Sequence, residues 1–292
     1  MEKKLNGNSH ITLIGAGAVG SSLAYAFSKK RIPLYSIISR SKKSASLLAK
    51  KLDVKNFCSI NDSTVPIGEL IIIAVSDDIL PDVITALMQS GKNFSKTTIL
   101  HTSGVLSSHE LLPLKKLGAV IGSFHPLQTF PKKNIRGDEL RKCWIALEGE
   151  PKAIAVGKKI AAIVGAHTFV LRSEDKIYYH IAAVFASNYL VTLASIVEGI
   201  AAQIHLPKQS WKKIFTPIVL RTLKNIEATS PAAALTGPIA RGDVGTIQKH
   251  IAALSSKKYK HLVPPYAVLG VATTRIVRKK RKHVPKEWIP TR

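Results

Sequence analysis

Two polar segments of the sequence contain groups that could bind a small substrate and move a proton. The segment 101–104 contains Ser103, whose hydroxyl could hydrogen-bond a substrate carbonyl or carboxylate. The segment 123–130 contains His125 and Gln128, and a histidine has a reference pKa near neutrality, as a general acid requires. We predict that Ser103 and His125 are catalytic and that Gln128 contacts the substrate. A structural, hydrogen-bonded histidine before a proline turn is the alternative interpretation of His125.

A second group of candidates lies on one face of a predicted helix that begins at Glu174. At about 100° per residue, four polar side chains fall within about 40° of one another, with Asn188 at the edge of the stripe. The four are Lys176, His180, Ser187 and Glu198. The other residues are strongly apolar, so this stripe needs partners or a wet cleft. We predict Lys176 and His180 as proton donors and Asn188 as a substrate-positioning residue; polar groups satisfied between helices are the alternative.

A loop of glycine and proline, residues 234–243, contains a further candidate. Arg241 could close over the site and hold an acidic substrate, or it could only pair with Asp243 in a fixed turn. We predict that Arg241 contacts the substrate. Among the ten histidines no pair has a convincing metal-ligand spacing, so we predict no metal.

A glycine-rich loop near the N-terminus has the pattern that cradles a dinucleotide pyrophosphate. It consists of Gly15, Ala16, Gly17, Ala18, Val19 and Gly20, between a predicted strand and a predicted helix. The first glycine permits a tight turn, the second lets the backbone approach the pyrophosphate, and the third allows close helix–strand packing. The helix N-terminus then supplies N–H donors and partial positive charge. We predict that these six residues bind a dinucleotide; a glycine-rich turn without a ligand is the alternative.

The residues after the second strand distinguish NADP from NAD. An NAD site would have a carboxylate there to bind the ribose 2′-hydroxyl. This sequence instead has Ser39, Arg40 and Ser41, which could hold a 2′-phosphate through a guanidinium and two hydroxyls. We therefore predict NADP(H), with solvated loop charges as the alternative. Val75 and Ser76 are placed near the cofactor because they come at the end of a buried strand.

Alternating strands and helices must position these residues. The predicted strands are residues 10–14, 34–38, 70–75, 97–101, 119–124, 144–147 and 168–171, and the first helices are 20–30, 44–52 and 79–88. This alternation predicts an α/β fold with a doubly wound Rossmann sheet. From Ser173, a predicted N-cap, the pattern is helical, over 174–203, 208–228, 244–254 and 265–280. We predict a Rossmann NADP-binding domain at 1–172 and an all-helical domain at 173–292.

Composition excludes several classes of protein and raises one question about charge. With 292 residues, 46% of them hydrophobic, the chain can bury a core. No secretory signal is visible, no window reaches the roughly 18 apolar residues of a membrane span, and two cysteines support no disulfide framework, so we expect a cytoplasmic protein without membrane contact. The formal net charge of +25 requires that nucleic-acid binding be considered. The basic tail, residues 275–286, lacks interleaved aromatic residues, which favours a solvated basic surface.

Several segments together resemble a bacterial family that pairs a Rossmann-like domain with a C-terminal helical domain of unknown function. They are residues 15–20, 74–78, 123–130, 179–180 with Asn188, and 235–243, of which His-Pro-Leu-Gln and Gly-Pro-Ile-Ala-Arg-Gly-Asp are the specific parts. The family is similar to a superfamily of pyrroline-5-carboxylate reductase, ketopantoate reductase, deazaflavin-dependent NADP oxidoreductases, and 6-phosphogluconate and 3-hydroxyisobutyrate dehydrogenases. The resemblance implies a 6-phosphogluconate-dehydrogenase-like all-α domain for dimerisation and substrate binding, with the active site between domains. It also implies a lysine and an asparagine as catalytic groups, and here His180 stands where that lysine is expected, with Lys176 one turn earlier.

These observations lead to one preferred hypothesis and two others. The preferred one is an NADP(H)-dependent oxidoreductase that acts on CH-OH or CH-NH donors and reduces a small carbonyl or imine, of oxo acid or cyclic imine type, as a homodimer. The second is a non-catalytic NADP(H) sensor or regulatory module, which would bind NADPH without oxidising it. The third, nucleic-acid binding through the basic tail, ranks below both because the Rossmann features explain more of the chain.

Overall fold

The computed structural model describes residues 10–62, 66–130, 135–204, 206–207 and 210–280. The chain divides into two compact units, Met1–Tyr189 and Leu190–Arg292. The first is an α/β unit and the second is helical, which confirms the predicted fold class. The basic tail beyond residue 280 lies outside the described residues.

The first unit is an eight-stranded sheet flanked by helices. Its strands are β1 (Ile11–Ile14), β2 (Leu34–Ser39), β3 (Asn56–Ser59), β4 (Leu70–Ile73), β5 (Thr98–His101), β6 (Val120–Leu127), β7 (Trp144–Gly149) and β8 (His167–Val170). The helices are α1 (Ala18–Lys29), α2 (Lys42–Lys51), α3 (Leu80–Gln89), α4 (Leu112–Lys115), α5 (Pro151–Val164) and α6 (Lys176–Ala186). Strand order is β3-β2-β1-β4-β5-β6-β7-β8, and all neighbours are parallel except β6 and β7.

Alternate residues of the central strands pack on opposite faces of this sheet. Leu13 and Ile72 join a core with residues of α1, α2 and α5, whereas Ile14 and Ile73 join a second core with residues of α3. Apolar side chains on both faces explain why the strand around Ile71 is a continuous hydrophobic run rather than an alternating one. The sheet is therefore a rigid frame whose strand ends can hold a site.

Strand register brings the candidate segments to one edge of the sheet. Ile73, at the end of β4, pairs with His101 at the end of β5, and His101 pairs with Ser123 in β6. Strand β6 continues to Leu127, beyond the predicted end at residue 124, because it pairs with the antiparallel strand β7. His125 therefore lies within a strand and not in a loop after it.

Several elements differ from the sequence-based prediction. β3 and α5 were not predicted; β3 is a four-residue edge strand with polar ends, which gives little periodicity. The predicted single helix from 174 to 203 is wrong, because Ser187 leaves helical geometry, with φ −124° and ψ −65°, and separates α6 from α7 (Asn188–Ala201). Ser173 does not cap a helix: its hydroxyl donates to Glu148 at 2.7 Å.

The second unit consists of helices. After α7 come α8 (Ser210–Ala228), α9 (Pro231–Ala234), α10 (Pro238–Arg241), α11 (Val244–Leu254) and α12 (Val263–Lys280). Asp243 caps α11 by accepting from the Thr246 N–H at 3.2 Å. The boundary between the compact units falls between Tyr189 and Leu190, so α6 belongs to the sheet unit. The predicted domain boundary lies earlier in the chain, near Arg172.

One helical stretch of the described residues, Ser173–Ile204, is long and apolar enough to cross a membrane, with a mean hydropathy of 1.6. This finding corrects the expectation that no window has that character, although it rests on length and composition alone. The first part of the stretch contains Lys176, whose ammonium binds residues of the sheet unit.

Candidate active site

In the glycine-rich loop between β1 and α1, two glycines are closely packed and the third faces open space. A Cβ on Gly15, where φ is +110°, would lie 2.2 Å from the Ala74 carbonyl oxygen, and one on Gly20 would lie 2.0 Å from the Gly15 oxygen. These two glycines are required by the fold. No atom lies within 4 Å of a Cβ built on Gly17, which is also the N-cap of α1 and makes no side-chain cap. The first-turn N–H groups of α1 can therefore be approached by an anion.

The remaining residues of the loop support its shape. Ala16 and Val19 pack against the core, and Ala18 begins α1. Val75 lies beside the loop, since its Cγ1 is 3.2 Å from a Cβ built on Gly15. Ser76 precedes a short 3-10 turn at Asp77–Ile79. Val75 therefore lies next to the glycine-rich loop.

The end of β2 places a group of positive charges at the start of α2. The Gly15 N–H donates to the Ile38 oxygen at 2.7 Å, so this segment adjoins the glycine loop. Arg40 is exposed, and the first turn of α2 contains Lys42 and Lys43 but no acidic residue. Cations at a helix N-terminus oppose the helix dipole, and an anion bound there would compensate both.

The two serines of this segment have structural tasks. Ser41 Oγ accepts from the Ser44 N–H at 3.2 Å and so caps α2, while the Ser41 hydroxyl donates to Ser44 Oγ at 2.9 Å. Ser39 is buried in β2. Of the three residues predicted to hold a 2′-phosphate, Arg40 has the freest side chain.

A second polar centre lies where β5 and β6 meet α6. His125 Nδ1 is 2.7 Å from the Tyr179 hydroxyl, and the rings of His125 and His180 are 6.4 Å apart. Both rings lie against Gly104. A Cβ added to this glycine would be 2.7 Å from His180 Cδ2 and 2.8 Å from His125 Nε2. The loop after β5 thus needs a glycine so that the two imidazoles can approach it.

Burial lowers the pKa of His125 to about 4, with further lowering by the charges of Lys176, His180 and His101. The imidazole is therefore neutral at neutral pH. A neutral imidazole is not the protonated form that a general acid requires, and the hydrogen bond to Tyr179 fixes the ring in one orientation, as in the structural alternative.

Lys176 lies behind the Gly104 loop and is 1% exposed. Its Nζ donates to the Ser103 carbonyl oxygen at 3.1 Å and to Ser123 Oγ at 2.8 Å. Desolvation lowers its pKa to about 8, against the opposing charges of Glu148 and Asp77. Lys176 is thus a buried cation that is hydrogen-bonded to the loop, and it is not among the residues that line the open pocket.

The loop from residue 101 to 107 is held by its own polar groups. The buried His101 accepts from the Ser103 N–H at Nδ1, so its Nε2 carries the hydrogen and donates to the Ser107 oxygen at 3.1 Å. Burial and Lys176 lower the pKa of His101 to about 4. Ser103 Oγ accepts from the N–H groups of Val105 and Leu106. The hydroxyl predicted to bind substrate is therefore already engaged in shaping the loop.

An open pocket of about 580 Å³ adjoins this centre. Its lining includes His125, Tyr179, His180, Gln128 and Asn188, together with the alanines of α6. The Gln128 side chain accepts from the Thr129 N–H at 2.8 Å and reaches the Glu139 oxygen at 3.4 Å. Four of the predicted residues therefore meet at one pocket.

One member of the polar stripe and one residue predicted to contact the substrate are engaged in the second unit. Glu198, the last member of the polar stripe, accepts from Trp211 Nε1 at 2.8 Å. Arg241 is exposed and lies 3.9 Å from an Asp243 carboxylate oxygen, which is the fixed-turn alternative. Among the described residues no group of three or more His, Cys, Asp or Glu side chains could hold a metal ion.

Three residues of the centre were missed from the sequence. Tyr179 orients His125, and Ser123 and Glu148 bind around Lys176. Glu148 had a signal, because a carboxylate in the otherwise apolar strand β7 must find partners when the strand is buried. Tyr179 had only its place between two other polar residues of α6.

Comparison with known proteins agrees with the two-part architecture. Residues 5–126 match a Rossmann-like domain, and residues 143–273 match the domain of unknown function DUF2520. No curated protein matches the sequence.

Three solved structures show a similar fold. A Bacteroides fragilis protein to which NADP oxidoreductase activity has been ascribed is 22% identical, with a TM-score of 0.76 over 92% of this chain and 99% of its own. A Thermotoga maritima protein is 25% identical, with a TM-score of 0.68 over 94% and 100%. An imine reductase from Pseudomonas sp. is 18% identical, with a TM-score of 0.64 over 93% and 94%.

Proposed function

The chain joins a Rossmann-like domain to a DUF2520 domain, and we propose that it is an NADP(H)-dependent reductase of small carbonyl or imine compounds. The observation that carries the proposal is the open backbone at Gly17, at the uncapped N-terminus of α1. A pyrophosphate fits this cradle because N–H donors and the helix dipole both favour an anion. The names of two similar structures, an NADP oxidoreductase and an imine reductase, support the reaction class.

NADP is the proposed form of the cofactor. Arg40, Lys42 and Lys43 surround the start of α2, and the first turn contains no carboxylate that would bind an unphosphorylated ribose. Arg40→Asp should weaken NADPH binding by roughly ten- to a hundredfold and NADH binding much less, because it removes the planar fork that pairs with phosphate. Lys55→Asp, on the loop before β3, is the matched charge control. Equal NADPH affinity in Arg40→Asp and the wild type would contradict the NADP assignment.

A bound nicotinamide would supply the hydride. Side chains of this chain would orient the substrate, provide charge and donate a proton. His180 is the proposed proton donor because it lines the pocket, whereas Lys176 is buried behind the Gly104 loop. His125, neutral and fixed by Tyr179, presents its Nε2 face toward Gly104 and can hydrogen-bond the substrate. Lys176 contributes a buried positive charge that stabilises negative charge developing on a substrate oxygen.

The pocket favours a substrate with an acid group. Among the residues that the structure describes, no aspartate or glutamate lines the pocket, and the groups close to it are His125, His180 and, behind the loop, Lys176. The lining also includes small apolar side chains of α6, among them Ala182 and Ala183. An oxo acid or a cyclic imine that carries a carboxylate matches both features.

The test is NADPH oxidation across a panel of oxo acids and cyclic imines, followed by absorbance, with NADPH affinity measured separately. His180→Asn should lower kcat by about 10²- to 10⁴-fold and leave NADPH affinity unchanged, as expected for loss of a general acid. His109→Asn is the control, since this histidine is exposed and is not among the residues that line the pocket. Tight NADPH binding without oxidation of any substrate would favour the non-catalytic sensor instead.

A homodimer in a reducing cytoplasm completes the proposal. In the second unit only Ala201, Thr274 and Val277 are buried among the described residues, so this helical unit has no core of its own. A second copy of the chain would supply the missing apolar surface. Cys58 and Cys143 are both free and buried, which suits a compartment where thiols stay reduced.

A further inference from the structure

A continuous chain of buried hydrogen bonds joins Lys176 to the carboxylate of Glu148. Lys176 Nζ is 2.8 Å from Ser123 Oγ, and Ser123 Oγ is 3.1 Å from Glu148 Oε2. Lys176, Ser123 and Glu148 are each no more than 2% exposed. Ser123 and Glu148 are directly opposed residues of the antiparallel strands β6 and β7, so the bridge is built into the strand register.

The direction of these hydrogen bonds is fixed by the donors around Glu148. Its two oxygens accept from the Ser108 N–H at 2.8 Å, the Ser108 hydroxyl at 2.6 Å, the Ser173 hydroxyl at 2.7 Å and the Ser123 hydroxyl. Because all four partners donate, the carboxylate is ionised. The single hydrogen of the Ser123 hydroxyl points to Glu148, so its oxygen is left to accept from Lys176.

We propose that Glu148, acting through the Ser123 hydroxyl, is a positioning residue that keeps Lys176 in its charged, hydrogen-donating form behind the substrate pocket. The role of that charge rests on the reductase function proposed above. The link between Glu148 and Lys176 depends only on the buried hydrogen bonds.

The other charged groups near Lys176 cannot replace Glu148. Asp77 is the second carboxylate that acts on it, and it does so without a hydrogen bond between them. His101 and His125 face Lys176 from β5 and β6, and the pKa of each lies near 4, so both are neutral at neutral pH. His180, one turn along α6, is not a carboxylate and cannot supply negative charge. Glu148 is therefore the principal group that opposes the loss of the Lys176 proton in this dry environment.

Glu148→Gln tests the proposal because it reverses the direction of the chain. The new amide would donate to Ser123, whose hydroxyl would then turn toward Lys176 and favour a neutral amine that accepts. We expect the pKa of Lys176 to fall by roughly one unit or more when the carboxylate is lost. The measurement is NMR titration of ¹³Cε-labelled lysine in the full-length protein, with Lys176→Met to assign the signal.

Two variants separate this effect from simple destabilisation. Glu150→Gln is the matched control, because Glu150 accepts from the Ile121 N–H and pairs with Lys115 but has no hydrogen bond to Lys176 or Ser123. Ser108→Ala removes a hydrogen bond to Glu148 on the side away from Lys176. Both should leave the pKa of Lys176 nearly unchanged, even where they lower the melting temperature.

Ser123→Ala keeps the carboxylate and breaks the bridge, so it remains informative if Glu148→Gln does not fold. It should also lower the pKa of Lys176. An unchanged Lys176 titration in folded Glu148→Gln or Ser123→Ala protein overturns the proposal. In an active enzyme the alkaline limb of the kcat profile should move to lower pH in Glu148→Gln. A shifted titration without NADPH oxidation in any variant would reject the reductase function and leave the Glu148–Lys176 link intact.

Discussion

Tyr179 and Tyr178 are neighbours on α6 with opposite environments, and the contrast between them isolates one hydrogen bond. The Tyr179 hydroxyl meets His125 Nδ1 at 2.7 Å, whereas Tyr178 is 72% exposed. Tyr179→Phe frees the His125 ring and should lower kcat by roughly tenfold, equivalent to about 1.4 kcal/mol in the barrier. Stability should fall by about 1 kcal/mol. Tyr178→Phe, measured in the same assays, should change neither quantity, and equal effects of the two variants would show that the hydrogen bond is unimportant.

The lowered pKa of Lys176 leads to a prediction about stability that does not depend on the reaction. Its pKa in the folded chain is about 8, below the roughly 10.4 of an unfolded lysine, so between these values only the unfolded chain holds the proton. Proton binding therefore stabilises the unfolded state in this range, and raising the pH weakens that stabilisation. The free energy of unfolding should therefore rise with pH above about 8, by up to about 1.4 kcal/mol per pH unit, relative to Lys176→Met. Urea denaturation of both proteins from neutral to alkaline pH measures this difference, and parallel profiles would contradict it.

The residues that the sequence predicts well are those whose signal is local. The phosphate loop is a run of six residues, and Lys176 and His180 share a face because they are four apart in a helix. The role of Lys176 could not be found in this way. It depends on Ser103, Ser123 and Glu148, which come from a loop and two strands and meet Lys176 only after the sheet has formed.

At the scale of elements, the loop between β1 and α1 shows two uses of glycine that can be separated by experiment. Gly17→Ala meets no atom within 4 Å, so the melting temperature should stay the same. The methyl group would occupy the space of the pyrophosphate and weaken NADPH binding by on the order of tenfold. Gly20→Ala places a Cβ 2.0 Å from the Gly15 oxygen and should destabilise the fold by roughly 1–3 kcal/mol. A lower melting temperature for Gly17→Ala alone would show that this glycine serves packing.

Element boundaries were predicted less well where a partner strand or a turn decides them. β6 extends to Leu127 because β7 returns beside it, and that pairing involves residues about 20 positions later in the chain. The helix from 174 breaks at Ser187, although the residues before Ser187 and after Asn188 are mostly apolar. The helical spacing of apolar residues does not reveal such a break, because α6 and α7 each show that spacing.

At the scale of the whole molecule, the two units differ in how their apolar residues are used. The sheet unit buries two extensive cores. In the helical unit, large apolar side chains of α7, α8 and α12 are exposed, among them Val191 at 69% and Ile218 at 62%. Large apolar side chains exposed in such number are characteristic of an interface. It is spread over several helices, whereas a membrane span would concentrate it on one, so a second copy of the chain is the occupant we expect.

The oligomeric state tests this expectation. Light scattering after size exclusion should give twice the chain mass of 31.7 kDa. Val191→Glu combined with Ile218→Glu should shift the protein toward monomer and lower its melting temperature, because two charges would be buried without partners. Leu47→Glu, at an exposed leucine of α2 in the sheet unit, is the matched control and should remain dimeric. A stable wild-type monomer would contradict the dimer. If such a monomer partitioned onto lipid vesicles, the apolar helices, including Ser173–Ile204, would instead face a membrane.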